Sequence, residues 1–73
     1  MTVKDLFEHI SDFMDVDIII YDIVHDQEHI FSWGAGSDYR ENCMDVFGER
    51  ELTRKGISFG EEGGREYIHI MVQ

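Results

Sequence analysis

Seventy-three residues with a formal net charge of −10, 42% apolar side chains and one cysteine make a single domain, residues 1–73, too apolar for a disordered chain and too short for a second core. A surface this acidic repels nucleic acid and anionic lipid, so direct nucleic-acid binding and a membrane-surface role are disfavoured and a basic partner is favoured. The lone Cys43 rules out an internal disulfide framework; with no basic-then-apolar leader and no apolar run of about 18 residues, a cytoplasmic protein is expected.

Thr2-Val3-Lys4-Asp5 approximates a capping box with Asp in place of Glu, and predicts a helix starting at Thr2. Val3, Leu6, Phe7, Ile10, Phe13 and Met14 then draw one apolar stripe along about three turns, to be buried against the strand that follows. Asp5, Glu8, Asp12 and Asp15 recur along another side of the same helix. They read either as a solvated face, helped in the first turn by the helix dipole, or as an anionic ridge.

Residues 16–24 form the most β-branched and apolar run of the chain. Both alternating faces are apolar, which predicts a central strand covered at least partly on both sides. A polar segment, His25-Asp26-Gln27-Glu28-His29, separates it from a second strand over residues 30–33, so the two form a hairpin. Gly34-Ala35-Gly36 ends that strand, and Asp38 with Glu41 three residues on repeats the capping-box pattern. A short helix from 39 to about 47 should bury Tyr39, Cys43, Met44 and Phe47 and stop at Gly48. Strands over 52–59 and 66–72 flank a glycine-rich turn at 60–64, with Tyr67, His69 and Met71 sharing one face of the last strand and Ile68, Ile70 and Val72 the other.

The expected fold is therefore α+β, in the order α-β-β-α-β-β: a single, largely antiparallel four-stranded sheet with two helices packed on one face and the other face partly open. The open face or an unpaired edge could meet a second copy, so both a monomer and a homodimer fit the pattern.

The Thr2-Val3-Lys4-Asp5-Leu6 helix start, the apolar strand ending near Asp22, the Gly36-Ser37-Asp38 segment and the final Ile68-His69-Ile70 strand together resemble a broad group of small acidic proteins encoded by bacteriophages and mobile elements. That group includes inhibitors of host-defence nucleases such as anti-CRISPR proteins. The resemblance implies a cytoplasmic interaction protein and carries over no functional residue.

Residues 1–48 hold eleven carboxylates against Lys4 and Arg40, a net charge of −9, while residues 49–73 carry −1. This asymmetry points to a binding protein that occupies the basic, nucleic-acid-binding surface of a larger partner, for example the charged channel of an RNA-guided nuclease, and blocks nucleic-acid loading. The expected contacts are Asp5, Glu8, Asp12, Asp15 and Asp17, with Asp22, Asp26 and Glu28 as a second cluster. Trp33 and Tyr39 flank the 34–38 turn and could anchor in a partner pocket; the size of the indole in so small a domain argues instead for placing Trp33 in the core.

A zinc-binding interaction module is the alternative. His25 and His29 bracket a three-residue spacing, and Cys43 with His69 or His9 could complete a tetrahedral set if the fold brings them together. No Cys-x-x-Cys or His-Glu-x-x-His pattern accompanies them, and ordinary surface histidines with a buried thiol explain the same residues. Apart from zinc, no cofactor is expected. Pairs such as Asp22 with His25 or Glu66 with His69 lack the cleft that proton transfer needs, and Cys43 has no local signature of a nucleophile, so no enzymatic activity is expected.

Overall fold

The computed structural model describes residues 1–9, 16–35 and 38–73. Within them α1 (Val3–His9), β1 (Asp17–Asp22), β2 (Gln27–Phe31), a single 3-10 turn (Trp33–Ala35), α2 (Tyr39–Phe47), β3 (Leu52–Glu62) and β4 (Arg65–Val72) follow in the expected α-β-β-α-β-β order. Ile10, Phe13 and Met14 of the apolar stripe lie outside the described residues.

The start of α1 is closed by the box read from its sequence. The Thr2 backbone N–H donates to Asp5 Oδ2 at 3.0 Å, and the Asp5 N–H donates back to Thr2 Oγ1 at 3.2 Å. The remaining early donors of this helix go to the segment after α2: Val3 N–H to the Arg50 carbonyl at 3.1 Å and Lys4 N–H to the Gly48 carbonyl at 3.0 Å. Backbone donors that a helix leaves open are thereby satisfied, and α1 is tied to the end of α2.

The four strands form one sheet in the order β2-β1-β4-β3. The β1–β2 and β3–β4 pairs are antiparallel hairpins, and the central β1–β4 pair is parallel, running from Asp17 opposite Tyr67 to Asp22 opposite Val72. Two of three pairings are antiparallel, and the parallel one is made possible because α2 lies in the connection between the hairpins.

Strand alternation sorts the side chains. Ile18 and Ile20 of β1 and Ile68, Ile70 and Val72 of β4 are fully buried with Val3, Leu6, Tyr39, Cys43 and Phe47 of the two helices. Each buried isoleucine stabilises the fold by roughly 1.5–3 kcal/mol. Rings of Phe31 and His29 on β2 meet Phe47 at centroid distances of 6.0 and 4.9 Å. On the other face Ile19, Tyr21, Tyr67, His69 and Met71 are half-buried, which is the partly open face that the pattern predicts.

Several strand boundaries differ from the sequence reading, among them the end of β2 at Phe31 rather than at 33. β1 ends at Asp22 rather than at 24 because the Asp22 carboxylate accepts the Val24 and His25 N–H groups at 3.1 and 3.3 Å, turning the chain and leaving Val24 exposed. The turn closes with Asp26 at φ 51°, so β2 begins at Gln27. The last hairpin is tighter than a five-residue turn: Gly63 and Gly64, at φ 61° and 80°, are its two loop residues, and Glu62 pairs with Arg65. Positive φ at both positions matches the right-handed twist of the flanking strands and is open to glycine.

The helix caps of α2 also differ in mechanism, although the helix lies where its pattern places it. Asp38 makes no side-chain capping hydrogen bond, and Gly48 keeps right-handed backbone angles, φ −54° and ψ −36°. Gly48 is buried at a close approach, where a Cβ would fall 2.4 Å from the Met44 carbonyl oxygen.

Candidate functional site

The carboxylates separate into those engaged inside the fold and those left to solvent. Asp22 is 4% exposed. Arg50 grips it with both ends of its guanidinium, at 2.8 Å to Oδ1 and 3.1 Å to Oδ2, and His25 Nδ1 lies 2.8 Å from Oδ2. The Arg50 guanidinium, outweighing burial, and then His25 hold the Asp22 carboxyl well below the usual carboxylate range. Asp22 is therefore a structural anchor and not part of an outward acidic cluster, which corrects its assignment as a partner contact.

Asp17 is engaged in a similar way. Arg65 lies 2.7 Å away, and the Trp33 N–H and Ser32 hydroxyl donate at 2.9 and 3.4 Å. Burial pushes its carboxyl up, and these donors together more than reverse that, leaving it lowered. Asp5 is taken up by the capping box, where the Thr2 backbone and side chain hold its carboxyl down. Asp26 accepts a hydrogen bond from the Tyr21 hydroxyl, which raises the phenol. Of the expected contacts, Glu8 and Glu28 remain exposed with no ion pair among the described residues, and Asp12 and Asp15 lie outside those residues.

The aromatic pair divides as well. Trp33 is 49% exposed on its 3-10 turn, not in the core, so the large indole is available to a partner. Tyr39 is 7% exposed and belongs to the core under α2, which removes it as an anchor. Its hydroxyl is buried without a hydrogen-bond partner among the described residues.

The proposed metal ligands are not brought together. His29 sits opposite Ile20, on the helix-covered face with Phe47, and Cys43 is fully buried there. His69 pairs with Ile19 and so projects from the other face, while His25 is committed to Asp22. His9 Nδ1 lies 2.8 Å from the Asp5 carbonyl. The sheet itself stands between the two halves of the set, and among the described residues no three His, Cys, Asp or Glu side chains form a metal-sized group. Burial pushes the Cys43 thiol up to about 12, far from the thiolate that binds zinc or attacks carbon.

A feature missed in the sequence lies at the far end of the last hairpin. Glu61 on β3 is directly opposite Glu66 on β4, and neither makes an ion pair with any described residue. Two shallow grooves meet at this pair. One, of about 480 Å³, is lined by Val16, Phe59, Gly60, Glu61, Glu66 and Tyr67; the other, of about 350 Å³, adds Trp33, Gly64 and Arg65. Phe59 is 67% exposed. Tyr67 lies across Gly60, where a Cβ would fall within 2.4 Å of the ring carbon bearing the hydroxyl, so the glycine is what lets the ring settle on the strand. The signal was present in Glu61-Glu62-Gly63-Gly64-Arg65-Glu66: a two-residue Gly-Gly loop sets Glu62 against Arg65 and Glu61 against Glu66.

Comparison with protein-family models, with curated proteins and with solved structures finds no match. Among the described residues no helix is long and apolar enough to cross a membrane.

Proposed function

We propose that this protein is a cytoplasmic binding module that docks its acidic exterior on a cationic, nucleic-acid-binding surface of a larger protein and blocks nucleic-acid loading there, in the manner of an inhibitor of an RNA-guided host-defence nuclease. The observation that carries this reading is the distribution of charge. Arg50 and Arg65 are spent on Asp22 and Asp17, so two of only six cations hold the fold together, while Glu8, Glu28, Glu61, Glu62 and Glu66 stay exposed. A body charged in this way is steered toward positive clefts and away from DNA and RNA themselves. Such an inhibitor needs no catalytic group and no cofactor.

The test is competition. Labelled duplex DNA bound to a guide-loaded nuclease is titrated with the protein and followed by fluorescence anisotropy. Displacement that weakens as salt rises is the expected result, since ionic contacts are screened. DNA that stays bound at every salt concentration, or displacement unchanged by charge reversal of Glu8 and Glu28 together with the hairpin-end glutamates, overturns the reading.

A further inference from the structure

β3 lies at the edge of the sheet, paired with β4 on one side. Met1 reaches its first residue, where the Leu52 N–H donates to the Met1 carbonyl at 2.9 Å, and the rest of that edge has no strand beside it among the described residues. An open edge presents a row of backbone donors and acceptors to any strand that can pair with it. The charges along this one are sorted. Arg54 and Lys55 stand in its first half and Glu61 and Glu62 close its second, so the strand is neutral within a chain of net charge −10. None of the four makes an ion pair with a described residue. Between them run Gly56, Ile57, Ser58, Phe59 and Gly60. Ile57 and Phe59, 38% and 67% exposed, lie opposite Ile70 and Ile68 and so share the helix-covered face of the sheet.

We propose that β3 pairs antiparallel with β3 of a second copy about a two-fold axis at Ser58, giving a homodimer with one continuous eight-stranded sheet. The residue order sets the register. With Ser58 at the axis, Arg54 faces Glu62 of the second copy, Lys55 faces Glu61, Gly56 faces Gly60 and Ile57 faces Phe59, and symmetry makes each pairing twice. Opposite-charge and aromatic–β-branched pairs are the contacts that stabilise antiparallel strands. Within β3 no other centre gives both cations an acid directly opposite, and an in-register parallel pairing would set cation on cation and acid on acid. Charge also selects a second copy over repulsion from it: residues 1–48 carry −9 and residues 49–73 only −1, so the contact lies on the least acidic part of the chain, and the strand order puts β2 of each copy at the outer ends. Glu61 faces Glu66 across β4, and Lys55 of the second copy offsets that like-charge repulsion. The β3–β4 ladder shifts register between Leu52 and Ile57. The axis at Ser58 falls outside that stretch, and the charged residues inside it, Arg54 and Lys55, are long enough to reach their partners without strict backbone register. This pairing goes beyond the binding-module reading and does not need it.

Sedimentation velocity over a range of protein concentrations tests it, at about 150 mM salt, where repulsion between whole chains is screened within about 8 Å. The native chain should show a monomer–dimer equilibrium that reaches twice the chain mass, with amide hydrogen exchange over residues 55–61 slowing as the dimer forms. Two charge-reversed variants, Arg54→Glu/Lys55→Glu and Glu61→Lys/Glu62→Lys, should each self-associate at least about tenfold more weakly. The second is the stricter, because it makes the chain less acidic and would strengthen association if net charge alone governed it. Mixed in equal amounts, the two variants should form a heterodimer, since every reversed position again meets its opposite; that rescue also shows that neither variant had lost its fold. A native chain that stays monomeric at every concentration, a Glu61→Lys/Glu62→Lys variant that associates as well as the native chain, or a mixture of the two variants that stays monomeric overturns the dimer. The DNA-displacement experiment reads the binding-module proposal separately.

Discussion

Asp22 sits where β1 ends against Val72 of β4 and where the segment after α2 passes. Arg50 also reaches the Gln73 carbonyl, at 3.1 Å, so one guanidinium ties the C-terminus of β4 to the end of β1. Because the folded carboxyl titrates below its unfolded value of about 3.9, its contribution is fully present above pH about 4 and is lost as pH falls toward the folded value. Asp22→Asn should therefore lower the melting temperature at pH 7 by about 5–10 °C and flatten the acid limb of a stability-versus-pH curve relative to the native chain, both measurable by circular dichroism. Cys43 acts at the other end of the scale. Its thiol is raised to about 12, so its contribution is present below the unfolded thiol value of about 8.5 and fades as pH climbs from there toward 12. At pH 8 a disulfide reagent should label Cys43 no faster than the protein unfolds; prompt labelling of the native chain would contradict the burial. The sequence marked these residues as chemically capable, but an acid and an arginine 28 positions apart carry no local sign that they pair.

At the level of elements, local pattern was a good guide to what forms and a weaker one to why it ends. The Thr2–Asp5 box closes α1 as read. The limits of α2 also match, yet neither Asp38 nor Gly48 works through the cap that its residue type suggests: one makes no side-chain capping bond, and the other keeps right-handed angles where a Cβ would crowd the Met44 carbonyl. The glycine-rich pattern over 60–64 predicts a five-residue turn, whereas the strands run on through Gly60, Glu61 and Glu62 to a two-residue turn. Glutamates and glycines look like loop, but cross-strand pairing outweighs their weak strand preference. Gly64→Ala tests this turn: at φ 80° an added Cβ costs about 1 kcal/mol, seen as a lower urea midpoint with an unchanged slope. An unchanged midpoint would mean that the turn does not hold this geometry.

For the whole molecule, the two hairpins are joined by the parallel β1–β4 pair and by two ion pairs, Asp17–Arg65 and Asp22–Arg50, one near each end of β1. A net charge of −10 works against this compact body at low ionic strength. Raising salt from about 10 mM to 150 mM shortens the screening length from roughly 30 Å to 8 Å, so the melting temperature should rise across that range. A fall would mean that the internal ion pairs contribute more than self-repulsion removes.

Composition, apolar periodicity and turn residues determined the α+β class, the element order and the acidic character, because each depends on neighbours within a few positions along the chain. Tertiary structure decided the strand order β2-β1-β4-β3, the pairing of Asp17 and Asp22 with arginines, the burial of Tyr39, the separation of His69 from His29 and Cys43, and the placing of Glu61 opposite Glu66. The physical reason is reach. A carboxylate is spent or free according to which cation the folded sheet carries to within 3 Å of it, and for Asp17 that cation lies 48 residues away.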